Sequence, residues 1–264
     1  IALNADTARL ASAELLNAQG RIEHAGTQAL HLEAGQLDTR GGRIDSNAHL
    51  QITAGTVLHD EASTVARQLT VQAGSLSNRQ GELLQTGTGE ARITLTGTLD
   101  NGAGTIASNG AATVLAAQLD NRGGTLSTAN GAAGTQGARL SLGVSGTLDN
   151  AGGQIASSGE ATLSAGRLDN TEGRITAAHA LTATVVQDLA NQRGLLAGKG
   201  AVSLAAGSVD NTQGTIASAE AGLSLRSEGL LRTDSGRLEA AGVVDLASAG
   251  LSNRIAAGLA ADGI

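Results

Sequence analysis

Apolar and polar residues alternate along this chain with a period of two. Ala161-Thr162-Leu163-Ser164-Ala165, Val202-Ser203-Leu204-Ala205 and Leu223-Ser224-Leu225 carry the pattern. Strict alternation predicts short strands with one buried face. Gly and Asn close each run after a few residues. The elements are therefore short strands at Ile-x-Ser, x-Leu-x-Ala and x-Leu-Asp, joined by tight corners. A helical reading fails, because Gly and Asn recur where they would interrupt a helix.

The alternation is nested inside a longer period. Leu99-Asp100-Asn101 is followed by Gly104 and Ile106, and Leu119-Asp120-Asn121 by Gly124 and Leu126. The frame returns at Leu148-Asp149-Asn150, Leu168-Asp169-Asn170 and Val209-Asp210-Asn211, and more loosely at Leu15, Leu37, Leu76, Leu189 and Leu231. The asparagines 101, 121, 150, 170, 191 and 211 are 20, 29, 20, 21 and 20 residues apart. One unit near Leu58 to Leu69 lacks the glycine. A fixed period of this length marks a solenoid, in which each unit buries its apolar face only against its neighbours. Residues 1–264 thus read as one repeat segment of about 12 coils, on the order of 55 Å long at about 4.8 Å per coil. Glycines at fixed offsets are expected to supply the positive-φ corners. Asn101, Asn121, Asn150, Asn170, Asn191 and Asn211 are expected to point inward at a corner and stack as an amide ladder.

Composition then takes on a meaning. The 264 residues include no Pro, Cys, Met, Trp, Tyr or Phe, and 38 are Gly. Leu, Ile and Val make up 58 of them, close to the level at which disorder is suspected. The period resolves this: stacked narrow coils call for small aliphatics in every layer, and proline would remove a ladder donor. Disulfides, thiolate chemistry and aromatic stacking platforms are excluded. The net charge of −7 disfavours nucleic acid as a partner.

Leu-Asp-Asn-x-x-Gly-x-Ile followed by Ala-x-Leu-x-Ala-Gly resembles the haemagglutinin repeat of filamentous haemagglutinin, over about residues 15 to 255. That resemblance implies an all-β, right-handed parallel β-helix. It also implies a bacterial exoprotein exported by two-partner secretion through an outer-membrane transporter, and displayed or released as an adhesin for a host glycan or protein receptor. Contact-dependent growth-inhibition toxins carry similar repeats in their stalk. The chain reads as a segment of a longer exoprotein, since it opens and stops in mid-pattern.

No catalytic, cofactor or metal site is expected. The five histidines form no ligand motif and read as solvated surface residues, with His31 and His49 on neighbouring coils as the sharper metal-pair alternative. Gly41-Gly42-Arg43-Ile44-Asp45 lacks the middle glycine of a calcium nonapeptide and does not recur. Asp100, Asp120, Asp149 and Asp169 share one position; each either caps its own corner or contributes to a cation-binding stripe. Arg21, Arg43, Arg174 and Arg237 share another position and read as solvated strand-face residues. A β-helix enzyme would need clustered carboxylates with a basic partner, yet Lys199 is the single lysine. The nine-residue excess between Asn121 and Asn150 places an extruded loop at 128–139. There Asn130, Gln136 and Arg139 are candidate partner contacts. The leading reading is a structural shaft; the alternatives are a direct glycan- or protein-binding face and a toxin stalk.

Overall fold

The computed structural model describes residues 1–129 and 137–254. Among them are 24 β-strands and no helix. Every pairing is parallel, and each strand pairs with its counterpart about one repeat away. The result is a β-solenoid of about 12 turns, as the period requires.

One coil shows the plan. Thr105–Ser108 forms one side, Ala112–Ala116 the second and Gln118–Asp120 the third. These are the three positions at which the alternation predicts strands. In later coils the second and third sides merge into one bent strand, such as Ala161–Asp169, with a register irregularity between Ala165 and Leu168. Inward positions stack in three columns. Ile106, Leu126, Ile155, Ile175, Leu196 and Ile216 line one side. Val114, Leu142, Leu163, Ala183, Leu204 and Leu225 line the second. Leu99, Leu119, Leu148, Leu168, Leu189, Val209 and Leu231 line the third. All of these are buried, each Leu, Ile or Val side chain contributing about 1.5–3 kcal/mol of transfer free energy. A ring in any column would have to be matched by the layers on both sides, which accounts for the absence of aromatics.

The corner glycines correct one expectation. The positive φ falls on the second residue after the corner Asn, and it is mostly not glycine: Gln19, Gln80, Ala103, Glu172, Arg193 and Gln213 sit between 52° and 57°. The recurrent glycine is the third residue, and it is needed for close approach. A Cβ on Gly104, Gly124, Gly153, Gly173, Gly194 or Gly214 would overlap the carbonyl oxygen of the asparagine one coil back. The glycine-free coil carries Ala62 at this position, with its N–H donating to His59 O at 3.3 Å.

Candidate functional site

The corner that follows the third strand holds the most ordered polar array. Asn78, Asn101, Asn121, Asn150, Asn170, Asn191 and Asn211 are fully buried. Each side-chain Nδ2 donates to the Oδ1 of the next at 2.7 Å, from Asn78 through to Asn211. The second Nδ2 hydrogen serves backbone carbonyls. That of Asn150, for example, reaches Gly153 O at 3.3 Å and Arg174 O at 3.4 Å. Every amide therefore satisfies its own corner and grips the next one, which removes the cost of an unpaired buried group. The backbone N–H of each asparagine donates to the residue before the next one, as in Asn150 N to Asp169 O at 2.7 Å. The six asparagines singled out from the repeat lie together in this run, and Asn78 joins them. Its unit, Leu76-Ser77-Asn78, is one of the looser copies of the frame, as is Leu189-Ala190-Asn191.

A histidine heads the array. His59 occupies the corner position one coil before Asn78, is buried, and places Nδ1 2.7 Å from Asn78 Oδ1. Its Nε2 lies 2.8 Å from Thr64 Oγ1. Because Asn78 uses Nδ2 toward Asn101, its Oδ1 is the acceptor, so His59 Nδ1 carries the proton and Nε2 accepts from the threonine hydroxyl. Burial holds the imidazole down at about 4, so the ring is neutral at pH 7. Thr64 stands in the Ile44 column, where other coils carry Ile or Leu. A buried hydroxyl replaces a core aliphatic there because the histidine needs a donor. At the far end the corner position holds Thr233, whose buried Oγ1 lacks a hydrogen-bond partner among the described residues. Two coils ahead of His59, Asn17 Nδ2 donates to Arg43 O at 3.2 Å, outside the run.

Histidines were expected at the surface, and two are not. His24 is buried between Ser46 Oγ at 3.2 Å and Ala5 O at 3.0 Å, and His59 is buried as described. His31 and His49 do not align as a cross-coil pair: His49 registers with Ala29, and His31 with Gln51. His49 Nε2 lies 2.9 Å from Thr70 Oγ1, and burial with the nearby His31 lowers its pKa.

The aspartate column caps the corners. Asp100, Asp120, Asp149, Asp169 and Asp210 each accept the backbone N–H two residues on, at 2.9–3.1 Å. Arginines interleave with them. Arg79 bonds Asp100 at 2.6 Å, and Arg122 lies 2.5 Å from Asp120 and 3.6 Å from Asp149. The Arg122 hydrogen bond holds the Asp120 carboxyl below the usual carboxylate range. Among the described residues, no group of three or more acidic or histidine side chains is arranged to hold a metal ion. Arg21, Arg43 and Arg237 lie on the exposed strand face, each paired with the carboxylate two residues on. Of the loop candidates, Asn130 and Gln136 lie outside the described residues. Arg139 is exposed and 3.1 Å from Glu160 on the next coil.

Comparison with known proteins agrees with the stacking. The family model for the haemagglutinin repeat matches residues 1–67, 59–103, 88–152 and 131–259. The chain is also similar to Toxin CdiA of Yersinia pestis, 29% identical over 101 residues. That alignment covers 38% of this chain and 3% of the toxin. No solved structure matches. With the repeat model covering nearly every coil and the coils built as the motif requires, the chain belongs to the haemagglutinin-repeat family.

Proposed function

We propose that this chain is a length of rigid shaft in a secreted bacterial exoprotein, acting as a spacer that carries attachment modules away from the cell surface. The run of seven asparagine amides, each bonded to the next at 2.7 Å, is the observation that carries this reading. In the same reading it clamps successive coils. A continuous ladder of parallel strands resists bending, because every layer is hydrogen-bonded to two others. The parent protein is an adhesin that leaves the cell through an outer-membrane transporter and meets a host glycan or protein receptor through other parts of its chain.

A second reading rests on the similarity to Toxin CdiA. The same rod would then be the stalk of a growth-inhibition toxin. In both readings the chain acts by length and stiffness, without catalysis. In a third reading, direct binding through the 128–139 loop, the described candidate contact is Arg139, which is exposed and paired with Glu160.

Replacement of whole coils tests the proposal. Deleting residues 151–170 joins Asn150 to Thr171 in register and should leave a folded rod shorter by about 4.8 Å. In the parent exoprotein, a foreign β-solenoid of equal length should restore attachment to cells. Loss of attachment with the foreign rod in place would sink the spacer reading in favour of a binding face.

A further inference from the structure

A saddle opens at one corner of the first coils, because successive coils turn that corner with unequal lengths of chain. Residues 25–28 separate Arg21–His24 from Ala29–Asp38, and residues 86–90 separate Glu82–Gln85 from Ala91–Leu95. In the two coils between them the strand runs through the corner, as Arg43–Leu58 and Ser63–Ser77. The longer corners stand as walls and the shorter ones form a floor. The concavity is about 500 Å³, lined mainly by Thr27, Gln28, His49, Arg67, Gln68 and Thr88. That size lies within the range of small-molecule clefts.

The walls are held in place from below. Buried Gln85 donates through Nε2 to Gly89 O at 2.6 Å and Gly87 O at 3.2 Å, and accepts Leu69 N–H at 2.8 Å. Gly87 N donates to Arg67 O at 2.9 Å. On the opposite wall Thr27 bonds Asp6 Oδ1 through both its amide and its hydroxyl. The carboxylate beyond the Gly-rich wall, Glu90, is 2.6 Å from both Arg92 and Thr113. Arg67 is exposed on the floor and forms no ion pair among the described residues, unlike Arg79, Arg92 and Arg122. The saddle therefore pairs one uncompensated guanidinium with amide and hydroxyl groups on a pre-formed frame.

We propose that this saddle binds a single carboxylate-bearing sugar, with the carboxylate on Arg67 and the ring hydroxyls on the amide and hydroxyl groups around it. The guanidinium fork matches a planar carboxylate, and amides and hydroxyls match a polyhydroxylated ring. The chain's net charge of −7 opposes a long polyanion, but at physiological salt it is screened beyond about 8 Å. A free or terminal acidic sugar is therefore favoured over an extended acidic polymer. With no aromatic ring to stack on the sugar, weak binding, on the order of millimolar Kd, is expected.

Amide NMR of the whole chain tests this, with glucuronate, glucose and acetate as probes. Glucuronate should shift the Gly87 and Gly89 amides with a millimolar Kd. Glucose and acetate should each bind about tenfold more weakly, and Arg67→Gln should weaken glucuronate by about tenfold as well. Arg67 is exposed, so the variant folds. Unmoved Gly87 and Gly89 amides at millimolar glucuronate would overturn the proposal, as would unchanged binding by Arg67→Gln. Glucose equal to glucuronate would remove the role of the carboxylate, and acetate equal to it would remove the sugar. Failure here leaves the spacer reading standing, since that reading concerns length and stiffness and has its own test in the foreign rod.

Discussion

His59 Nδ1 donates to Asn78 Oδ1 across 2.7 Å, so a neutral imidazole starts a run of amide donors that ends at Asn211. The histidine replaces an asparagine, Thr64 replaces a core aliphatic to serve it, and Ala62 replaces the corner glycine, all in one coil. Burial pushes the His59 pKa down to about 4, below its ordinary value of about 6.5. A lowered histidine pKa means that the folded state prefers the neutral ring. Its stabilisation is fully present above about pH 6.5 and is lost as pH falls toward 4. The loss over that window is about 3 kcal/mol. Circular-dichroism melts of the chain and of His59→Asn/Thr64→Ile should diverge between pH 7 and 4, the double variant losing less Tm because only His49, whose pKa is also lowered, remains to titrate in the same direction. Parallel curves would refute the assignment. Asp38 and Asp120, held low by Arg40 and Arg122, lose their contribution only below the ordinary carboxylate range.

Asn150 accepts from Asn121 and donates to Asn170, Gly153 O and Arg174 O. Asn150→Leu removes both 2.7 Å amide bonds, to Asn121 and to Asn170, and leaves the buried Asn170 Oδ1 without its donor. A loss of about 2–4 kcal/mol is expected in denaturant unfolding. An unchanged midpoint would contradict the ladder's structural role.

Two corner substitutions should act in opposite directions. Gly153→Ala drives a methyl into the Asn121 carbonyl oxygen, and the coils must part, at a cost of about 2 kcal/mol or more. Ala103 holds φ at 52°, so Ala103→Gly relieves a left-handed backbone and should stabilise by up to about 1 kcal/mol. Thermal melting reads both, and a stabilised Gly153→Ala protein would overturn the account of this corner.

The unpartnered Thr233 hydroxyl marks where the run stops. Thr233→Asn would present an Oδ1 to the Nδ2 of Asn211, which now reaches only backbone carbonyls at 3.2 Å. One further charge-neutral bond should add about 1 kcal/mol. A fall in Tm would show that the last corner cannot seat the amide.

Period and alternation already specify the architecture. Leu-Asp-Asn at 20-residue steps with Ile five residues after the Asn determines which side chains stack, because a parallel coil repeats its inward positions layer by layer. The capping aspartates follow from the same register, since an Asp before a corner accepts its own backbone N–H. What the tertiary structure decided lies between the coils. It shows that the glycine after Asn-x-x is needed against the preceding layer and not for its dihedral angle. It also shows that His59 and Thr64 belong to one hydrogen-bonded pair, a relation visible only once Thr64 is seen in the isoleucine column. The saddle around Arg67 arises from differences in corner length among neighbouring coils. The close approach at the glycine and the saddle join residues of different coils, so they depend on how layers register, and a single repeat does not encode that.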